Sequence, residues 1–170
     1  MTQLFAQPYD ISACGFFFCT ADEYAAKAKT CRNDFGGQVE EFEIQFIDSD
    51  DDIDVDLARA WGLYQSNFAG FLEATETWCE FEKLNFIMAV GECGYKFDFE
   101  SDSPEDLDVD YYQVEDLKEL AEQFVDEGLF LGDIPTHIRP YLDMDAIARD
   151  LGFDYSMITI GGVRYAYRCA

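Results

Sequence analysis

The sequence predicts an α+β protein: elongated, made of three small packed segments, with a strand–helix–strand N-terminal part, short central helices, and C-terminal helices joined to a β-hairpin. Three observations predict it. Apolar and polar residues alternate from Val39 to Ile47, as they do in a half-buried strand. Aromatic and aliphatic residues recur at helical spacing between Leu57 and Ile87. Gly161-Gly162 separates two strand-like runs, the pattern of a hairpin turn. The expected domains are 1–52, an N-terminal α+β domain; 53–92, a central helical domain; and 93–170, a C-terminal α+β domain.

The first segment begins near Pro8. Ile11 to Cys19 is apolar and rich in aromatics, which suits a buried strand. Thr20-Ala21-Asp22-Glu23 is a capping box, with Thr20 as N-cap and Glu23 reaching back to it. The Ala- and Lys-rich stretch that follows, to about Arg32, is a helix, and Gly36-Gly37 ends it. In Val39–Ile47, Phe42, Ile44 and Phe46 share one face while Glu41, Glu43 and Gln45 share the other.

In the second segment Leu57, Trp61 and Tyr64 recur at helical spacing, as do Phe68, Phe71 and Leu72, then Trp78, Phe81, Leu84 and Ile87. Two or three short helices result, with Glu73, Glu76, Glu80 and Glu82 on their exposed faces. In the third segment Phe97 to Asp110 is very acidic and holds a helix-start signal at Ser103-Pro104-Glu105. Val114 to Gly128 is an amphipathic helix with Leu117, Leu120, Ala121 and Phe124 inward. A loop with Pro135 and Pro140 precedes a short helix from Met144 to Leu151, stopped at Gly152. Ser156–Ile160 and Val163–Cys169 form the hairpin.

The charge balance narrows the function classes. Thirty-six acidic residues face eleven basic ones, for a formal net charge of −25 in 170 residues. Disordered acidic chains lack aromatics, whereas this one has 16 Phe, 10 Tyr and 2 Trp and can bury a core. A field this negative opposes binding to nucleic acid or an anionic membrane and favours basic partners. No apolar run approaches the roughly 18–20 residues of a membrane span, and Met1 to Phe5 has no signal-like pattern, so a soluble cytoplasmic protein is expected. The six cysteines form no Cys-x-x-Cys pair and are expected to be reduced and mostly buried.

Chemical motifs fail in detail. Asp48-Ser49-Asp50-Asp51-Asp52-Ile53-Asp54-Val55-Asp56 looks like a calcium loop, but the sixth and twelfth positions hold Ile53 and Arg59 instead of Gly and Glu. A solvated acidic loop is the expectation. His137 is the only histidine and has no cysteine at zinc-ligand spacing. Gly91-Glu92-Cys93-Gly94 and Gly161-Gly162 are not phosphate loops. No enzyme activity, metal or cofactor is expected.

What exceeds an ordinary solvated face is extent. Nine acids fall between Glu40 and Asp56 with no base among them, and thirteen between Asp98 and Glu127 with Lys118 the only base. The candidate partner-binding acids are Glu40, Glu41, Glu43, Asp48, Asp50, Asp51, Asp52, Asp54 and Asp56 in the first run. Glu73, Glu76, Glu80 and Glu82 follow. The last run supplies Asp98, Glu100, Asp102, Glu105, Asp106, Asp108, Asp110, Glu115, Asp116, Glu119, Glu122, Asp126 and Glu127. Duplex DNA carries one negative charge per about 1.7 Å of axis. Twenty-five net charges along one surface match about 40 Å, or about 12 base pairs, and a two-fold dimer doubles that length. Such a surface can occupy the Lys- and Arg-lined groove of a DNA-binding protein.

Several stretches, in this order, resemble the ArdA antirestriction family: Phe5-Ala6-Gln7-Pro8-Tyr9-Asp10-Ile11-Ser12-Ala13, Glu40-Glu41-Phe42-Glu43-Ile44-Gln45-Phe46-Ile47-Asp48, Glu119-Leu120-Ala121-Glu122-Gln123-Phe124-Val125, Gly132-Asp133-Ile134-Pro135, Tyr141-Leu142-Asp143, Ala146-Ile147-Ala148-Arg149-Asp150-Leu151 and Tyr167-Arg168-Cys169. The resemblance implies an elongated three-part protein, commonly dimeric, carried on mobile DNA in a bacterial host. It implies mimicry of bent DNA and inhibition of Type I restriction–modification enzymes at the methyltransferase core that reads DNA. It supplies no catalytic residues. The alternative keeps the mimicry and changes the target to a Type I CRISPR interference (Cascade) complex, which also holds DNA in a positive channel. An acidic hydrolase or metal-dependent enzyme is disfavoured by the failed motifs, and a chaperone for a basic protein is a third reading.

Overall fold

A computed structural model describes residues 1–99, 101–129, 132 and 134–169. Two compact units emerge, Met1–Leu107 and Asp108–Ala170.

In the first unit, β1 (Gln3–Pro8) lies between β2 (Phe16–Phe18) and β3 (Phe42–Asp48) in an antiparallel sheet. Leu4 and Ala6 of β1 are buried, pairing with Phe18 and Phe16 on one side and with Phe46 and Ile44 on the other. β1 was not anticipated, and the strand expected over Ile11–Cys19 is only three residues long. The cause is local. The Asp10 carboxylate accepts hydrogen bonds from the Ser12 amide at 3.0 Å and the Ser12 hydroxyl at 2.8 Å. The Asp10 carbonyl accepts from the Ala13 amide. This turn breaks the run and leaves Ile11 fully exposed.

Helix α1 (Ala21–Thr30) starts at Thr20, whose hydroxyl accepts from the Glu23 amide at 3.1 Å. The Glu23 carboxylate reaches the Cys19 amide at 2.9 Å, one residue before the partner expected of it. The helix ends at Cys31, earlier than the Gly36-Gly37 turn. Tyr24 of α1 packs among Phe16, Phe18, Phe42 and Phe68, with ring centroids 4.6–6.0 Å apart. α2 (Asp54–Trp61), α3 (Phe68–Thr77) and α4 (Glu80–Phe86) follow, and a π-helical turn at Ile87–Glu92 continues α4. Their buried residues include Leu57, Trp61, Phe68, Phe71, Leu72, Leu84 and Ile87, as the spacing predicts. Tyr64 and Phe81 depart from it: each is at least half exposed.

In the second unit, β4 (Val109–Gln113), β5 (Ser156–Ile160) and β6 (Val163–Cys169) form an antiparallel sheet in the order β4-β6-β5. The hairpin falls where Gly161-Gly162 placed it, and both glycines have positive φ, +55° and +80°, as such a turn demands. β4 was not anticipated, and its first two residues were read as the end of an acidic helix-start region; Pro104–Asp106 forms only one 3-10 turn before the chain extends. α5 (Leu117–Asp126) begins three residues later than expected because Asp116 caps it, accepting from the amides of Lys118 and Glu119 at 2.9 Å. α6 (Met144–Leu151) follows a 3-10 turn at Arg139–Tyr141. Leu120, Ala121 and Phe124 of α5 pack with Val114, Leu151, Tyr155 and Ala166.

The cysteines differ from expectation. Cys14 and Cys79 are exposed and Cys19 and Cys31 half-buried, because Cys14 lies in the irregular stretch before β2 and Cys79 caps a helix at the surface. Cys93 and Cys169 are not free thiols. No described helix is long and apolar enough to cross a membrane.

Candidate functional site

The acidic run after β3 is anchored at its end. Asp54, at the start of α2, was placed among the partner-binding acids, but it is buried. Its Oδ1 accepts from the ammonium of Lys83 in α4 at 2.7 Å, and its Oδ2 accepts from the Ser49 hydroxyl at 2.6 Å. The Thr2 hydroxyl lies 3.0 Å from Ser49 Oγ and 3.4 Å from Asp54 Oδ2. Lys83 also donates to Asp51 at 2.9 Å. Burial raises the Asp51 carboxyl, but the Lys83 ammonium outweighs it and holds the group below its ordinary value. Burial lowers Lys83, and the two carboxylates more than compensate, so its pKa is raised. Where a calcium loop would gather carboxylates around a metal, this loop gathers two around a buried lysine. Sequence reasoning missed Lys83; its signal is a lone cation just before the apolar run Phe86 to Val90.

Other candidate acids have local roles. Glu82 accepts from the Cys79 amide at 2.7 Å and closes the start of α4; it is only half-exposed. Glu119 does the same for the Glu115 amide at 2.7 Å. Asp56 pairs with Arg59 at 2.8 Å and is half-buried. Asp126 pairs with Arg139, Asp110 with Arg168, and Asp50 with the N-terminal ammonium. Asp102 accepts from the Asp98 amide at 2.8 Å. Glu100 and, within the quoted resemblance, Asp133 lie outside the described residues.

Asp48 accepts from the Ser49 amide at 3.0 Å, and Asp98 and Asp108 have partners as well. Among the described residues, the carboxylates of Glu40, Glu41, Glu43, Asp52, Glu73, Glu76, Glu80, Glu105 and Asp106 in the first unit are exposed, with no ion pair or hydrogen bond. Glu115, Glu122 and Glu127 are the same in the second. β3 positions Glu43 by strand alternation, opposite buried Phe42 and Ile44, and Glu41 directly precedes the strand. Acids outnumber bases by more than two to one in each unit. The arrangement can attract and hold cationic groups. His137, the one histidine of the sequence, is exposed in a turn.

A family model described as Antirestriction protein (ArdA) matches residues 19–165 of the chain. No curated protein matches it.

Proposed function

The chain belongs to the ArdA antirestriction family, and from that premise we propose that it inhibits Type I restriction–modification enzymes as a DNA mimic. Its carboxylates stand in for phosphates in the groove where the enzyme reads DNA. The observation that carries this reading is the set of free, exposed carboxylates on both units, carried by strands, helices and the turns that join them. Carboxylates held in position lose little freedom on docking, and displacement of counterions from the basic groove drives association. We extend the reading to a homodimer, whose two-fold symmetry would match the two halves of a DNA site.

The test titrates the purified protein into Type I cleavage and methylation assays, and into a Type I CRISPR interference assay, with unspecific DNA as competitor. Inhibition of the restriction enzyme, relieved by excess DNA and weakened by salt, supports the reading. Inhibition indifferent to DNA removes competitive mimicry. Sedimentation at assay concentration reads the oligomeric state.

A further inference from the structure

Trp61, Trp78, Phe97 and Phe99 wall a cavity of about 350 Å³ in the first unit. The rings form one cluster: Trp61 lies 5.4 Å from Trp78 and 4.5 Å from Phe99, and Phe97 lies 5.1 Å from Phe99. Glu73, Glu82 and Asp102 line the same cavity, and none of its lining residues is basic. Asp102 is held in place by the Asp98 amide and by the Ser101 hydroxyl at 3.2 Å, while the Glu73 carboxylate is free.

Aromatic faces beside carboxylates select one chemistry. Ring faces are negative and attract a cation placed over them. An apolar guest would strip water from the carboxylates without replacing it, and an anion would be repelled. A guanidinium fits both parts: it is planar and weakly hydrated, stacks on aromatic rings, and donates a fork of hydrogen bonds to carboxylates. An ammonium is more strongly hydrated and cannot stack.

We propose that this cavity takes an arginine side chain of the protein partner. The source of that arginine rests on the mimic reading, because DNA-binding surfaces present arginine to phosphates and bases. The seated side chain adds a short-range contact to the long-range attraction of the free carboxylates.

Both tryptophans of the chain line the cavity, so their fluorescence reports it directly. The full chain is titrated with an Arg-Gly repeat peptide and with a Lys-Gly peptide of equal length and charge. The expected result is a saturable emission change, tighter for arginine. Asp102→Asn and, on the exposed side, Glu73→Gln should each weaken the arginine peptide about ten-fold, while Asp22→Asn, removing the same charge from an exposed position outside the candidate acids, changes it by less than about two-fold. Equal losses in all three variants, or no preference for arginine, overturn the proposal. Inhibition of the Type I enzyme should follow the same order. A cavity-specific peptide response with inhibition alike in all three variants overturns the assignment to that partner. Inhibition unmoved even by multiple charge reversals removes the mimic reading itself, and with it the source of the arginine, whatever the peptides do.

Discussion

Replacing Lys83 by methionine removes the ammonium and keeps the apolar stem. The Lys83 side chain is 4% exposed and that of Asp54 2%. Taking one partner from such a pair leaves the other charge buried and alone, at a cost of about 3–5 kcal/mol. Asp51 softens nothing further, since its side chain is 55% exposed and returns to water. The Ser49 hydroxyl still donates to Asp54 and places the expected loss near the lower end, about 3 kcal/mol. Asp54→Asn should cost less, about 1–3 kcal/mol, because Lys83 keeps Asp51. The double variant should lose at least about 1 kcal/mol less than the sum. Urea unfolding followed by tryptophan fluorescence measures all three, since both tryptophans lie in the first unit. A loss below about 1 kcal/mol for Lys83→Met, or additive single losses, would refute a buried, coupled pair. The pH signs follow from the two shifts. Asp51 is lowered in the folded state, so its contribution is complete above its unfolded value near 3.8 and disappears as pH falls through the folded value. Lys83 is raised, so its contribution is complete below its unfolded value near 10.5 and disappears as pH rises through the folded value. Between these limits Asp51 and Lys83 should leave stability independent of pH.

Asp50→Lys with Asp52→Lys should weaken inhibition at low salt by at least about ten-fold, an effect that shrinks as salt rises. Asp108→Lys with Asp110→Lys should act alike, and retained full inhibition in both pairs would make the acidic surface incidental. Tyr24→Phe should leave stability unchanged or raise it by up to about 1 kcal/mol, because the buried Tyr24 hydroxyl has no hydrogen-bond partner among the described residues; thermal unfolding decides. Gly15→Ala should destabilise by about 1–3 kcal/mol in the same assay, since a Cβ there meets the Ala6 carbonyl oxygen at 2.6 Å and the Phe5 ring. Added salt should raise the melting temperature while weakening inhibition, because it screens both self-repulsion and partner attraction.

Periodicity located the elements whose burial is one-sided. The hairpin at Gly161-Gly162, α6 and the alternation of β3 were legible because side-chain pattern and turn chemistry agree there. Two strands were not. β1 reads as Gln3-Leu4-Phe5-Ala6-Gln7-Pro8, and its inward Ala6 is too small to mark alternation. β4 holds Asp110 among Val109, Tyr111 and Tyr112 inside an acidic stretch that masks it. Among the candidate acids, exposure was legible for most, but Asp54 was not separable from its neighbours. Nothing in Asp50-Asp51-Asp52-Ile53-Asp54 marks one carboxylate as buried; its partner Lys83 is 29 residues away.

That separation of roles explains how the chain tolerates its charge. A carboxylate can repel its neighbours at little cost only if something else fixes the backbone that carries it. Here the fixing groups are themselves partly acidic. Asp54 and Asp51 tie the acidic run to Lys83, Asp116 and Glu119 close the start of α5, and Glu82 closes that of α4. Each of these carboxylates meets an ammonium or backbone N–H groups at a helix start, where negative charge is favourable. Free carboxylates then stand on elements already secured: Glu43 on β3 beside buried Phe42 and Ile44, Glu122 on the helix that Asp116 caps. Anchoring acids and presenting acids are thus different residues within the same runs. Neutralising an anchor should cost the fold first and inhibition through it, whereas neutralising a presented carboxylate should relieve repulsion and cost inhibition alone.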